Sequence, residues 1–401
     1  MANSFANNTK VQLVAGAVAD NCDYLKASVS KMSQGDFKGK KYGKSYKLYL
    51  PDVGTVSEGL TAHPDEITEV ETEILLNNFN TSVTINAWNE LGDIEDFARE
   101  IAKPRGVHLA RSMQQALVKA NCFKSAQAVV AASAGFGVLS DAAAKLNELA
   151  VAGDIASFMH PTVMGKIAAG GLANFITSQE AKEIYSKNYL GEYAGASQIN
   201  MPLLPVITVG GSAATAAVTF VKDTNTDGVD LGFKTVDTVT GTNLFVGALF
   251  TLSGLKVVDQ SGIETDQDYA VIVTEVNNAG TSGKITPLRV TFPGMGHNNP
   301  NAWMPASTSA GSTSLTFGLS TSTSYYVGQV RSKESFAFDT YKFENLPGSE
   351  NESVATVGGV TVKMSMYGDG ETLEKLVRLD VPHAGGIWDN RGSVTVYIVK
   401  S

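Results

Sequence analysis

The feature that most constrains this chain is a change of texture part-way along it. Residues 210 to about 328 are rich in Gly, Ser, Thr and Val, poor in charge, and punctuated by turn sequences such as Asp227-Gly228 and Asn278-Ala279-Gly280. Short β-prone runs recur within them, at 217–220, 244–252, 255–258, 269–276 and 285–292. Such a block predicts a small all-β barrel or sandwich of its own. Mixed patterns return after Tyr341: residues 360–366 alternate, 373–380 are strand-like, and 393–399 alternate to the end. The expectation is a β module inserted into an α/β host whose sheet the last strand completes.

Upstream of the block the patterns are helical or extended. A helix is expected over 10–33, capped by Asn8 or Thr9, with Leu13, Val14, Ala17, Val18, Leu25 and Val29 roughly on one side. An extended piece at 46–50 is stopped by Pro51, and a strand is expected over 75–88. A polar excursion joins the two, which predicts a long hairpin or loop with little to bury against its own domain. A helix follows at 93–102, and Pro104 either breaks it or starts the next one. From there to Lys124, Val107, Ala110, Met113, Leu117 and Ala120 step at three or four residues, the spacing of one apolar helical face. Further helices are expected at 140–152, after a Ser140 cap, and at 161–169, starting on Pro161. Residues 199–209 read as a buried edge strand, since Pro202 and Pro205 cannot donate to a central ladder.

Composition narrows function by exclusion. With 401 residues, 43% of them hydrophobic, the chain can fill two or three cores. A formal charge of -9 gives no bulk attraction for nucleic acid. The two cysteines, Cys22 and Cys122, stand too far apart for a metal or redox spacing and read as free thiols. No secretory pattern opens the chain and no apolar run is long enough to cross a membrane, so a cytosolic origin is expected.

Motifs that carry chemistry fail on inspection. Gly39-Lys40-Lys41-Tyr42-Gly43-Lys44-Ser45 is one residue short of a phosphate-binding loop and lacks a preceding apolar strand. The stretch from Asp223 to Gly228 begins like a calcium loop, but the twelfth position, which should supply a bidentate Glu, is Lys234. Gly135-Phe136-Gly137 is followed by Ser140 where a dinucleotide fold wants Gly or Ala, and its Ala-rich surroundings read as helix or loop. The five histidines show no metal spacing, and no Gly-x-Ser-x-Gly elbow occurs. No catalytic residue, cofactor or metal site is expected.

Charge is sorted along the chain instead. Lys38, Lys40, Lys41, Lys44 and Lys47 stand together with no acid after Asp36, and Glu58, Asp65, Glu66, Glu69, Glu71 and Glu73 stand together with no Lys or Arg. These runs are either two solvated surfaces or partners that meet across copies of the chain and set register. The lysines could also face DNA through salt-sensitive backbone attraction.

Several segments together carry a family resemblance. Ile94-Glu95-Asp96-Phe97-Ala98-Arg99 leading into Arg111-Ser112-Met113 and Leu117-Val118-Lys119-Ala120 resembles the spine helix of tailed-bacteriophage major capsid (coat) proteins. Ser157-Phe158-Met159-His160-Pro161-Thr162 resembles that family's strand ending in a proline before a helix. Leu190-Gly191-Glu192-Tyr193-Ala194-Gly195, with Ile199 and Pro205, resembles the turn into its axial domain. Val377-Arg378-Leu379-Asp380, Gly385-Gly386-Ile387 and Val394-Thr395-Val396 resemble its closing strands. The layout is most similar to the podovirus coat branch, whose subunits carry an inserted β domain.

The resemblance implies an α+β capsid fold. Its parts would be an amino-terminal arm (1–43), an extended loop (44–90), a spine helix with peripheral and axial core (91–209), an inserted β-rich domain (210–328) and return strands (329–401). It implies a homo-oligomer of hexamers and pentamers in a virion shell built in the host bacterial cytoplasm. Scaffolding protein, portal protein and non-specifically packaged double-stranded DNA are the implied partners; no membrane is. A β-rich tail or adhesin-type binding protein, with 210–328 as its binding part, is the alternative from another class. An enzyme with an insertion ranks third.

Overall fold

The computed structural model describes residues 2–31, 45–50, 70–86, 98–151, 153–169, 192–220, 233–291, 301–304, 311–342, 351–368 and 374–400. The chain divides into two compact units. One comprises Met1–Lys47, Glu73–Val118 and Ala337–Gly386; the other comprises Leu48–Thr72, Lys119–Phe336 and Ile387–Ser401.

In the first unit, the helix Ala2–Asp20 packs on the strands Asn351–Val357 and Val360–Gly368. Val11, Val14, Ala15 and Val18 are completely buried, while Leu13 is exposed. Each fully buried valine stabilises by about 1.5–3 kcal/mol, which offsets the poor helix propensity of the asparagines at positions 3, 7 and 8. The helix expected over 10–33 therefore starts earlier and stops earlier. Asn21 Nδ2 donates to the Ala17 carbonyl at 2.8 Å, and a separate 3₁₀ turn spans Asp23–Ala27. The helix Ala2–Asp20 is thus packed on strands of its own unit. A parallel bridge between Val29 and Ala337, with Lys31 N donating to Asp339 Oδ2 at 3.0 Å, ties down the chain beyond that turn.

One sheet is ordered Ser45–Leu50, Val70–Asn86, Glu374–Ile387, Val360–Gly368, Asn351–Val357, with Phe336–Thr340 pairing Glu374–Ile387 off that path. The extended pieces expected at 46–50 and 75–88 are thus neighbouring strands, and the second runs longer than expected. A π-helical turn, Ala98–Ala102, leads into the helix Lys103–Asn121. Pro104 falls in its first turn, where a missing N–H costs nothing. Leu109, Ala110, Met113 and Leu117 are buried, whereas Ala120 of the expected stripe is exposed.

The second unit holds two cores. A mixed sheet is ordered Gln127–Ala131, Ser393–Val399, Ser324–Ser332, Ile155–Met159, Ala196–Asn200, Glu192–Tyr193, and Val206–Thr208 pairs Ser324–Ser332 off that path. The last strand of the chain lies inside this sheet, parallel to Gln127–Ala131 and antiparallel to Ser324–Ser332. Helices Phe136–Glu148 and Pro161–Ala169 cover it, burying Leu139, Leu146, Val163, Met164 and Ile167 against Val330, Val394 and Val396. The first of these begins at Phe136 on a Gly135 cap, not at Ser140. Its apolar stripe of Val138, Leu139, Ala142 and Leu146 is already under way before the expected start.

Strands between 215 and 317 form the other core. Thr215–Phe220, Phe233–Thr242, Ser282–Thr291, Glu264–Val276, Leu249–Val258 and Gly311–Phe317 pair in that order, and the last pairs back with the first. Each of these pairings is antiparallel, so among the described residues the six strands form a closed ring. The short strand Ala302–Trp303 joins the same sheet, antiparallel to Leu249–Val258 and parallel to Ser282–Thr291. Val218, Phe220, Val239, Phe250, Val257, Val271, Val273 and Leu288 fill the interior. Ser324 pairs with Thr208 and Tyr325 with Ile207, so the strand beginning at 324 belongs to the mixed sheet.

Candidate functional site

Where the closed barrel meets the mixed sheet, the second unit has a buried polar junction. It is built on the 3₁₀ turn Asn390–Gly392, which joins the strand Glu374–Ile387 to the apolar strand Ser393–Val399. Asp389 starts that turn by accepting the Arg391 backbone N–H at 3.1 Å. The same carboxylate takes a bidentate bond from the Arg391 side chain, Nε to Oδ1 at 3.0 Å and Nη2 to Oδ2 at 3.1 Å, with both side chains under 5% exposed. Planar guanidinium and planar carboxylate match in this fork geometry, and burial strengthens the pair while making either partner alone expensive.

Barrel residues close around it. Arg391 Nη1 donates to the Asp259 carbonyl at 2.8 Å, and Asn390 Nδ2 donates to the buried Tyr269 hydroxyl at 2.7 Å. Asn301 Nδ2 reaches Asn390 Oδ1 at 3.3 Å, while Asn301 Oδ1 accepts from Arg289 N at 2.6 Å. Arg289, 5% exposed, extends Nη2 to the Glu71 carbonyl at 3.2 Å and to Thr72 Oγ1 at 3.5 Å. Thr72 Oγ1 in turn donates to the Trp388 carbonyl at 3.1 Å, and Trp388 Nε1 to the Glu334 carbonyl at 2.7 Å.

Two guanidiniums thus share one nearby carboxylate. Burial pushes Arg289 down to about 10 even though Asp389 opposes the shift. Burial also raises the Tyr269 hydroxyl well above its ordinary range. Nothing in the cluster is a nucleophile or a free base; its chemistry is that of holding.

Elsewhere the barrel rests on backbone and aromatic contacts. Tyr397 Oη donates to the Gly247 carbonyl at 3.0 Å, and Ala270 N to the Ala126 carbonyl at 2.9 Å. Gly247 has φ +87°, and a Cβ there would lie 2.7 Å from Phe123 Cε1, so both conformation and space demand glycine. In the mixed sheet Arg331 is fully buried, its guanidinium carbon 3.9 Å from the Phe336 ring centroid and 4.7 Å from that of Phe158.

Of the charge-sorted residues, Lys47, Glu71 and Glu73 are described, all exposed, on neighbouring strands of one sheet. Lys38, Lys40, Lys41, Lys44, Glu58, Asp65, Glu66 and Glu69 lie outside the described residues, as do the 39–44 and 223–228 loop motifs. Gly135-Phe136-Gly137 follows a strand and opens a helix, with Ala128 and Ala131 in the strand and Ala142 and Ala143 in the helix. Ser140 still fills the place of the third glycine. Among the described residues no cluster of His, Cys, Asp or Glu is arranged for a metal, and no helix is long and apolar enough to cross a membrane. Cys22 and Cys122 are free and buried, and burial pushes both thiols up to about 12, which suppresses thiolate chemistry.

No family model and no curated protein matches this chain by sequence. Solved structures to which this chain is similar include a chain of Mycobacterium phage Che8 (9% identity, TM-score 0.44, covering 93% of this chain and 90% of that one). A chain from the capsid of Cyanophage P-SCSP1u has 11% identity and TM-score 0.44, with 93% and 86% covered. A chain of the virus-like particle from Pyrococcus furiosus has 7% identity and TM-score 0.40, with 97% of each chain covered.

The junction of Arg289, Asn301, Asp389, Asn390 and Arg391 was missed in the sequence. Its one local signal is the charged pair Asp389 and Arg391 immediately before the apolar strand Ser393–Val399. Its partners at 269, 289 and 301 carry no motif.

Proposed function

We propose that this chain is the major capsid (coat) protein of a tailed bacteriophage, of the podovirus branch with an inserted β domain. The observation that carries this is the way the barrel leaves and rejoins its host. Thr208 and Ser324 are paired residues on adjacent strands, with the whole barrel between them, and the carboxyl-terminal strand lies inside the host sheet. That is the order the coat-family resemblance implies: host strands, insertion, return strands.

The chain acts by assembly. Weak contacts repeated through hexamers and pentamers add up over an icosahedral shell that encloses phage DNA in the host cytoplasm. An exposed ion pair contributes only ~0.2–1 kcal/mol, so the lysine run at 38–47 and the acidic run at 58–73 set register between copies instead of supplying the bulk of the affinity. Scaffolding protein and portal direct the shell, and the packaged DNA is held without sequence preference. Electron microscopy of the purified protein, alone and with its scaffolding protein, tests the reading. Closed shells of uniform size are expected. A chain that stays monomeric under all assembly conditions overturns it.

A further inference from the structure

We propose that Arg289 is a positioning residue through which the β barrel fixes the direction of the chain at Glu71–Thr72, where the acidic segment joins its sheet. The idea deepens the capsid reading and rests on it for its consequence in assembly. Arg289 is rooted in the barrel strand Ser282–Thr291, and its own backbone N–H is committed to Asn301. Its guanidinium leaves that strand to grip a main-chain carbonyl and a side chain of another segment, Glu71 O and Thr72 Oγ1. Thr72 is held from its other side by the Trp388 carbonyl, so the residue is fixed between the barrel and the 388–392 turn. Two tertiary contacts from different parts of the unit thus converge on residues 71–72, in addition to the pairing of their strand with Ser45–Leu50.

Why should an arginine stand there? A buried cation beside a second cation is costly, and Asp389 is already engaged by Arg391. An apolar side chain would fill the space without that cost. What the guanidinium adds is directional bonding to a segment otherwise distant in sequence. On the coat-protein reading, Glu71 and Thr72 belong to the extended-loop region, so how the barrel places them bears on contacts with neighbouring copies.

The test uses the full chain. Arg289→Met is compared with wild type by hydrogen exchange, followed by electron microscopy of assembly reactions. Exchange at amides 70–76 is expected to rise about tenfold or more, the factor expected for losing a charge-assisted hydrogen bond, while the barrel strands at 249–258 and 264–276 keep their protection. Arg289→Lys should restore part of it. If protection at 70–76 is unchanged, or falls equally across the barrel, the proposal is overturned. Should Arg289→Met not fold, Thr72→Val removes the other side of the contact without touching the barrel and is expected to raise exchange at the same amides. In assembly, Arg289→Met should yield shells of mixed curvature. Uniform wild-type-like shells from that variant would refute the positioning role, whereas a wild type that never assembles would refute the capsid reading and leave the exchange result to decide the anchor.

Discussion

Gly106 and Ala17 meet where two helices of the first unit cross: a Cβ on Gly106 would lie 2.7 Å from the Ala17 Cβ and 3.2 Å from the Val14 carbonyl oxygen. Glycine in the middle of a helix ordinarily costs about 1 kcal/mol relative to alanine, so its presence here trades helix propensity for close approach. Gly106→Val is expected to destabilise by about 1–3 kcal/mol through overpacking, measured as a shift in the denaturant midpoint. Gly16 is the control. It sits in the same amino-terminal helix as Ala17 with nothing within 4 Å of its virtual Cβ, so Gly16→Ala should stabilise by roughly 0.5–1 kcal/mol. A Gly106→Val protein as stable as wild type would refute the crossing.

The bidentate pair of Arg391 and Asp389 gives a larger effect. Asp389→Ala leaves a buried guanidinium with its main counter-charge gone and should cost about 3–5 kcal/mol. The double change Asp389→Leu with Arg391→Met removes both charges and should recover much of that loss. Chemical denaturation of the three proteins checks the pattern, which fails if the double variant is the least stable.

Arg331 supplies a test of shape over charge. Its planar group lies between Phe158 and Phe336, a site that a lysine ammonium cannot fill by stacking. Arg331→Lys should therefore cost about 2 kcal/mol despite keeping the charge. Equal thermal midpoints would show that the charge alone matters.

Two histidines predict an acid limb. His383 is buried between the rings of Phe79 and Phe338, its Nδ1 3.0 Å from the Val381 carbonyl, and burial lowers its pKa. His160 Nδ1 accepts the Thr162 N–H at 3.2 Å as a helix cap, and burial together with Lys400 lowers its pKa too. A depressed folded-state pKa means that the unfolded chain takes up protons first. This contribution is whole above the ordinary histidine value near 6.5 and is lost as pH falls below it, by at most about 1.4 kcal/mol per pH unit for the buried His383 and by less for the more solvent-exposed His160. His383→Phe should flatten the stability profile between about pH 6.5 and 5 relative to wild type. A profile of unchanged slope would clear His383 of any part in the acid limb.

Salt and charge reversal test the sorted runs. Reversing Lys38, Lys40, Lys41 and Lys44 to Glu should abolish assembly and leave the fold of the isolated chain intact by circular dichroism. Wild-type assembly should weaken as ionic strength rises from about 0.1 to 1 M, where the screening length falls from about 10 to 3 Å. Reversal variants that still close shells would assign those lysines to solvent.

Alternation and turn residues made most strands readable, because a two-residue period survives in sequence whatever the strand pairs with. The run at 393–399 is legible alone, whereas its place inside a sheet begun at Gln127 is not. The barrel's closure was hidden for the same reason: Gly311–Phe317 pairs with Thr215–Phe220 and Leu249–Val258, and no local signal encodes partners so far apart. Helix ends misled where tertiary contacts decide them. The amino-terminal helix stops at Asp20 without Gly or Pro, because the Asn21 side chain competes for the Ala17 carbonyl and Gln114 accepts from the Tyr24 N–H. Lys47, Glu71 and Glu73 stand out in the sequence by charge alone, and all three are exposed; Arg289 and Arg391 do not stand out, since a lone arginine looks solvated until its partners arrive from elsewhere.

The pairing of Thr208 with Ser324 has a consequence for how such a protein can change. A domain whose two ends are held side by side is, to its host, no longer than a hairpin loop. The host pays little loop-closure entropy for its size, since that cost grows only logarithmically with length. Another domain with neighbouring termini could be grafted between those two residues without disturbing the host ladder. What the graft would forfeit are the tethers Tyr397–Gly247, Ala126–Ala270 and Arg391–Asp259, which bind the barrel to the sheet that carries it.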